Sequence, residues 1–562
     1  MPQMNGARFL AEYLKGAGID HVFYLPAIAL KTLGEMEALG IRRVMVHGEK
    51  AAAYMADGYA RASGKPGVCM AQQIGASNLA AGLRDPFMAC TPLIAITGGP
   101  SLGWRYRRAY QEVEDFPQFD SVTKFNAHVD DVSRLPDLLR QAFREATSGT
   151  PGPAHLQLRG SHGQAIEVDG DLEMFVEERF TRAPAFRPIA DDESIAKTAE
   201  QLAKAERPII VAGGGVVYSG AAAEVIALAE KLDIPVATSM NAKGTIADHH
   251  PLSVGVVGTY SRACANRSVY EADLVFYIGS QTGGQVTSNW NTPKRGTKVI
   301  QLSIDASDLG RNYPNVASLC GDARDTLRRL IGVTQARKNR AWVARVQGIV
   351  AEWRAEAESF RNSDAVPMRP ERIAKEITDA LPKDAVVVSD TGHSGIWTAT
   401  MIDFKHPTQR YIRCAGSMGW GFPASLGVKC AVGDRPVVCW TGDGAFYYHI
   451  AELETAARYG LNVVVVVNNN SALNQEIPLV KGALGGKEPE RPKEIWEFNK
   501  LDFAKVAESF GCAGMRAETP AALRAALSEA FTLKRPVVID AVSDVNAFAK
   551  RAWLPQGVSS GH

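Results

Sequence analysis

The sequence predicts an α/β protein made of three doubly wound, mostly parallel-sheet domains and a C-terminal tail. Three observations carry that expectation. Short β-branched and aliphatic runs such as Gly67–Ala71, Pro208–Ala212 and Leu274–Ile278 recur along the chain, with Gly-rich turns and Ala-rich helical patterns between them. The chain has 562 residues, enough for three or four domains at roughly 150 residues each. Hydrophobic residues make up 46% and charged residues 22%, the balance of a folded globular chain and not of a disordered one.

The elements follow in order. In a first unit, residues 1–170, strands are expected at 43–46, 67–71 and 93–97, and the Ala and Tyr spacing over 49–62 reads as a packed helix. The Pro-containing segment 183–188 leads into a second unit, 185–335, with strands at 208–212, 274–278 and 298–302. A charged helical stretch, 337–361, passes through Pro367 and Pro370 into a third unit, 365–545. Its strands are expected at 385–389, 436–440, 463–467 and 537–541, with a helix over 445–459. Residues 546–562 carry Trp553, Pro555 and several Gly and Ser, and read as a tail or lid.

Charge and cysteine usage exclude several functions. Lys plus Arg total 62 against 61 Asp plus Glu, a formal charge of +1, which gives no broad attraction to a phosphate backbone, so no nucleic acid is expected. The eight cysteines are scattered without a CxxC pair, so neither a disulfide framework nor a zinc site is indicated and a reduced, cytoplasmic location is expected. The N-terminus lacks a basic start with an apolar run, and apolar stretches such as Val463 to Val467 are too short for a bilayer. No export and no membrane anchor are expected.

The strongest chemical signal is a pair of turns. Gly442-Asp443-Gly444 follows the run 436–440, and Asn468-Asn469-Asn470 follows 463–467. In an open α/β sheet the carboxyl ends of the strands form the ligand crevice, so Asp443 and one Asn of the triple can converge on a hard cation. The glycines let backbone approach a phosphate, and the following helix N-terminus favours its charge. An oxygen-only set suits Mg2+ bridging to a diphosphate. The plainer alternative is two ordinary strand-to-helix turns.

Together these turns resemble the thiamin-diphosphate fingerprint of the acetolactate synthase, pyruvate decarboxylase and benzaldehyde lyase superfamily. By that resemblance Asp443, the Asn470 side chain and the Ala472 carbonyl hold Mg2+, with Gly442, Gly444 and Ala445 at the cofactor; Ser471 replaces the family's Gly or Asp. Upstream, His47-Gly48-Glu49-Lys50-Ala51-Ala52 and Asp57-Gly58-Tyr59-Ala60-Arg61 resemble the family's His-Glu-x-x-Ala-Ala segment and its Asp-Gly-Tyr-Ala-Arg helix. In the family this glutamate, here Glu49, bonds the aminopyrimidine ring and promotes deprotonation of the thiazolium carbon. The bland reading of a lone Glu at a helix start is helix-dipole stabilisation.

Gly416-Ser417-Met418-Gly419-Trp420-Gly421-Phe422-Pro423 is similar to the family's Gly-Thr-Met-Gly-Phe-Gly-Leu-Pro. The resemblance makes Met418 a wedge under the bent cofactor and sets Gly416 against the pyrimidine edge, although a Met is more often core filler. Asp390-Thr391-Gly392-His393-Ser394 aligns with the diphosphate-contacting turn, where synthases tend to have Gln-His; His393 and Ser394 are expected to donate to phosphate. Asn78 completes the expected cofactor contacts.

For the reaction, Tyr110-Gln111-Glu112 resembles the synthases' Phe-Gln-Glu, which makes Gln111 a catalytic candidate. Glu476 falls where pyruvate decarboxylases keep a catalytic Glu, and is otherwise a solvated helix residue. Residues 71–78 and 24–28 depart from the synthase pattern, and 476–497 is charged and lacks the Gln-Trp with which synthases choose the acceptor. In the central unit Gly213-Gly214-Gly215 lacks the full dinucleotide fingerprint. Gln281 to Thr287 lacks both arginines of the flavin-containing synthases' motif, so FAD is not expected. The resemblance implies a small-molecule substrate, either a 2-oxo acid with an aldehyde or ketone acceptor or a 2-hydroxyacyl thioester. It also implies a homodimer as the minimal unit and a homotetramer as the expected assembly. The expected activity is acetolactate-synthase-like decarboxylation and transfer; a lyase of 2-hydroxyacyl-CoA or 2-hydroxyketone and a non-catalytic cofactor-binding relative are the alternatives.

Overall fold

A computed structural model describes residues 3–550 and 552–556, so the end of the expected tail lies outside the described residues. The chain forms three six-stranded sheets whose neighbouring strands are all parallel. Gln3–Asn5 and Asp169–Asp171 add a small antiparallel pair. The strands of the first sheet lie in the order Arg42–Met45, His21–Tyr24, Gly67–Ala71, Leu93–Gly99, Pro153–Arg159, Phe125–Val129. The third repeats this pattern with Arg410–Arg413, Val386–Ser389, Val437–Gly442, Val463–Asn469, Val537–Val542 and Ala513–Ala517. In both, the direction of winding reverses between the first and third strands in sequence, and ligands of open α/β sheets sit at such reversals. The central sheet differs, running Ser253–Val256, Val236–Thr238, Pro208–Ala212, Leu274–Ile278, Lys298–Ser303, Asn315–Cys320, and reverses between Pro208–Ala212 and Leu274–Ile278.

Strands covered by helices on both faces must be apolar throughout, and every residue of Gly67–Ala71, Pro208–Ala212 and Leu274–Ile278 is buried. The single helix expected over 445–459 is two helices, Asp443–Tyr447 and Glu452–Tyr459. Tertiary contact overrides propensity at the break: the Glu452 carboxyl accepts from the His47 N–H (2.9 Å) and the Thr455 hydroxyl (2.7 Å).

The first and third domains meet along helices Glu49–Ser63 and Gly421–Val432. Their backbones touch, since a Cβ on Gly58 would lie 2.1 Å from the Ala424 carbonyl oxygen and one on Gly427 1.8 Å from that of Met55. A buried ionic knot fastens this contact. Arg61 donates to both oxygens of Asp57 (2.7 Å each), to Asp85 (3.2 Å) and to the Arg413 carbonyl (2.6 Å), and its guanidinium lies 4.8 Å from the Trp420 ring centre. The Trp420 indole N–H in turn donates to Asp57 (2.8 Å). Deleting one member of such a knot strands buried charge, so Arg61→Ala is expected to destabilise by about 3–5 kcal/mol in chemical denaturation. A variant within about 1 kcal/mol of wild type, the range of ordinary surface changes, contradicts this role.

Candidate active site

The site starts where strand Val386–Ser389 ends. Asp390 is fully buried, and its carboxyl accepts from the N–H groups of Thr391 (2.9 Å), Gly419 (3.1 Å) and Gly421 (2.7 Å). One carboxyl thus draws the 416–423 turn onto the strand end. Burial raises the Asp390 pKa to about 6, against the opposing pull of those N–H groups. A raised carboxyl pKa means the fold prefers the protonated acid. Its stabilisation, about 3 kcal/mol, is therefore full below about pH 4 and is lost as pH rises through about 6. Unfolding free energies measured across that window should fall more steeply for wild type than for Asp390→Asn; equal slopes refute the assignment.

Gly392 has φ +62° and ψ −140°, a conformation that disfavours any side chain, and it launches helix His393–Met401. Thr391, Gly392, His393 and Ser394 therefore lie together at a helix N-terminus at the sheet's reversal point, a setting that suits a phosphate group. The next strand, Val437–Gly442, ends beside them: a Cβ on Gly442 would lie 3.5 Å from Ser394 Oγ.

Asp443 opens the following helix and is 3% exposed. Its Oδ1 accepts from the Gly444 N–H (2.7 Å), and its Oδ2 accepts from the N–H groups of Asn470 (3.0 Å) and Ala472 (3.3 Å). Burial raises its pKa to about 7. Ser471, at φ +56°, closes a tight turn in which the Ala472 N–H also reaches Asn470 Oδ1 (3.1 Å). Asp443, Asn470 and Ala472 are thus brought together, while Asn469 turns away to the Asp540 carboxylate (2.8 Å) and the Leu501 carbonyl (3.0 Å). Among the described residues no ion pair reaches Asp443 and no group of three His, Cys, Asp or Glu could hold a metal. One buried carboxyl with main-chain N–H partners, joined by an amide and a main-chain carbonyl, is an oxygen set that fits a hard cation keeping its water and phosphate ligands. Ala445 is buried behind it in the same helix.

The first domain supplies the second cluster. Glu49, 8% exposed, begins helix Glu49–Ser63, and its carboxylate accepts from the Asn78 side-chain N–H (3.2 Å). A Cβ on Gly75 would fall 2.3 Å from Glu49 Oε1, so this glycine lets the carboxyl lie against the turn. Asn78 sits in helix Ala76–Met88, and Asp85 further along that helix accepts from the N–H groups of Ala415 (2.9 Å), Gly416 (3.0 Å) and Ser417 (3.0 Å). One helix thereby holds both Glu49 and the Gly416–Met418 loop, where Gly416 is exposed and Met418 half-buried. The sequence reading missed Asp85, which no motif marks.

Two expected catalytic residues stand apart. Gln111 is half-buried at φ +63° in a loop that exposes Leu102, Trp104, Tyr106 and Tyr110. Glu476 is exposed as the first residue of helix Glu476–Ala483. Among the described residues no hydrogen bond joins either to Glu49 or Asp443. A cavity of about 240 Å³ opens at the central sheet's reversal point, where that domain meets the other two, lined by 213–215, Asn241 and Gln285 of the central domain, Met88 to Cys90 of the first and Arg413 of the third. Arg413 closes one side by donating to Asn241 (2.7 Å) and Gln285 (2.7 Å). Among the described residues no helix is long and apolar enough to cross a membrane.

Family models match all three domains: the thiamine pyrophosphate enzyme N-terminal TPP binding domain over residues 4–119, the central domain over 195–330 and the C-terminal TPP binding domain over 390–541. A probable acetolactate synthase large subunit of Methanocaldococcus jannaschii is 31% identical over 558 residues, covering 96% of this chain and 92% of the relative. The acetolactate synthase large subunit of Haemophilus influenzae is 29% identical, covering 100% and 97%, and the isozyme 1 large subunit of Escherichia coli is 29% identical, covering 96% and 93%. With its three domains matched in order and its whole length aligned, the chain belongs to the thiamine pyrophosphate enzyme family.

Proposed function

We propose that the chain is a thiamin-diphosphate- and Mg2+-dependent carboligase that decarboxylates a 2-oxo acid and passes the acyl unit to an aldehyde or ketone acceptor or to a proton. The observation that carries this is the meeting of Asp443, Asn470 and Ala472 beside the Thr391–Ser394 turn. The names of the relatives favour it over the lyase and the non-catalytic readings.

When bound, thiamin diphosphate would supply a nucleophilic carbon and an electron sink for loss of CO2 from a 2-oxo acid. The protein does the rest. Asp443, the Asn470 amide and the Ala472 carbonyl would hold Mg2+, and the main-chain N–H groups of 392–394 at the start of helix His393–Met401 would be available to the diphosphate. Glu49, oriented by Asn78, would exchange a proton with the cofactor's pyrimidine ring, and Met418 and the Gly416 carbonyl would hold that ring. Gln111, from its loop, and Glu476, from the start of helix Glu476–Ala483, would act on the substrate, Glu476 as a proton donor. By the family resemblance the site is read as one that draws Glu49 from one chain and Asp443 from its partner in a homodimer, paired further into a homotetramer. Eight free cysteines fit a reducing cytoplasm. No flavin takes part in this reading.

The test is reconstitution. Protein stripped of metal and cofactor should release CO2 from pyruvate, 2-oxobutyrate, glyoxylate or benzoylformate only when both thiamin diphosphate and Mg2+ are restored. Release without them, or no release from any of these acids with them, overturns the reading.

A further inference from the structure

His393 stands first in the helix that follows Gly392, and its Nδ1 lies 2.8 Å from Asn474 Oδ1. Asn474 is 5% exposed, and its amide Nδ2 faces two carbonyl oxygens, those of Val545 and Ala547, each at 3.4 Å. Two carbonyls accept only, so the NH2 of Asn474 must face them and its oxygen must face the imidazole. An amide oxygen also only accepts, so Nδ1 of His393 must carry the hydrogen. A neutral imidazole holding its proton on Nδ1 has a bare lone pair on Nε2.

We infer that Asn474 is a positioning residue that fixes the proton of His393 on Nδ1, so that Nε2 accepts a hydrogen bond from a substrate hydroxyl and does not donate to the diphosphate. This departs from the expectation that His393 is a phosphate donor. Burial holds the ring below the ordinary histidine range, which keeps it neutral. A lone pair aimed at a phosphate oxygen would be repelled, so the diphosphate-facing donors of this turn are its main-chain N–H groups and Ser394. The orienting carbonyls come from the segment after strand Val537–Val542, which continues until the Trp553 carbonyl accepts from the Asn266 side chain of the central domain (3.1 Å). The C-terminal segment thus reaches the reaction crevice through one amide and one imidazole.

Only the identity of the hydroxyl donor rests on the proposed reaction; the proton position does not. Long-range proton–nitrogen correlation spectra of cofactor-free protein carrying isotope-labelled histidine read that position directly, with His393→Gln assigning the signal. The neutral Nδ1–H pattern is expected near neutral pH, and an Nε2–H or imidazolium pattern overturns the inference. In Asn474→Ala the signal is expected to move toward Nε2–H, and kcat to fall about 10–100-fold, the usual effect of losing an orienting partner, with thiamin diphosphate affinity unchanged. A loss of cofactor affinity in Asn474→Ala matching its loss of kcat marks His393 as a diphosphate ligand and overturns the inference. If Asp443→Ala stays active, the proposed function fails, while the spectra still decide the tautomer.

Discussion

Asp443→Ala is expected to abolish cofactor loading and, with it, all turnover. The carboxyl is buried, accepts three main-chain N–H groups and pairs with no cation among the described residues. A fold keeps an unpaired buried carboxyl at a cost, and the proposed divalent cation would supply the opposite charge. A ligand at 100 times its Kd stabilises the folded state by about 2.7 kcal/mol, so thiamin diphosphate with Mg2+ should raise the melting temperature of wild type and leave that of Asp443→Ala in place. The deletion leaves the Gly444 and Asn470 N–H groups unmatched, each costing about 1–3 kcal/mol if water does not replace the carboxyl, while the Ala472 N–H keeps Asn470 Oδ1. Asp443→Asn, which leaves an oxygen there, serves as the second variant should the first fold poorly. A cofactor-dependent rise that survives in both removes Asp443 from the metal site.

Glu49→Gln is expected to separate binding from chemistry. The amide preserves size and still accepts from Asn78, but it cannot exchange a proton with the pyrimidine ring, so kcat should fall by about 10²–10⁴, the range for a lost general acid–base group. The cofactor-induced rise in melting temperature should remain. Near-wild-type kcat in Glu49→Gln, with cofactor bound, sinks the role assigned to Glu49. The same two variants test the two-chain site. In a mixed dimer of Glu49→Gln and Asp443→Ala chains, sites that span the chains include one with both residues intact, so activity should return on co-expression. Sites confined to one chain always carry a defect, and activity should then stay absent.

The parts of the fold legible in the sequence are those where burial on both faces leaves little choice of residue. Gly67–Ala71, Pro208–Ala212 and Leu274–Ile278 appear with the expected boundaries because every position is enclosed. The strands not anticipated carry polar residues or are short. Arg410–Arg413 lies at a sheet edge and uses its arginines across the domain contact, Arg410 donating to the Ala62 carbonyl (2.9 Å) and Arg413 walling the central cavity. Such residues read as solvated surface when only periodicity is available.

The candidate site divides the same way. Asp443 and Asn470 are legible because they stand in short strings, Gly442-Asp443-Gly444 and Asn468-Asn469-Asn470, directly at the ends of adjacent buried strands, the pattern that the proposed cation and diphosphate site would need. Asp85 and Asn474 announce nothing. Asp85 acts on Gly416, 331 positions away, and Asn474 acts on His393, 81 positions away. The role of Asp85 exists only once the first and third domains meet, and that of Asn474 only once the third domain is folded with its C-terminal segment, while an Asp inside a helix or an Asn in a loop has ordinary local reasons to be there.

The most direct test of the account is the product formed from a carbon-labelled 2-oxo acid, followed by mass spectrometry with thiamin diphosphate and Mg2+ present and a panel of aldehyde and ketone acceptors. The expected result is labelled CO2 from the carboxyl carbon, with the remaining acyl carbons joined to an acceptor as a hydroxyketone or released as the aldehyde. Cleavage of a 2-hydroxyacyl-CoA or 2-hydroxyketone, with every 2-oxo acid left intact, would contradict it.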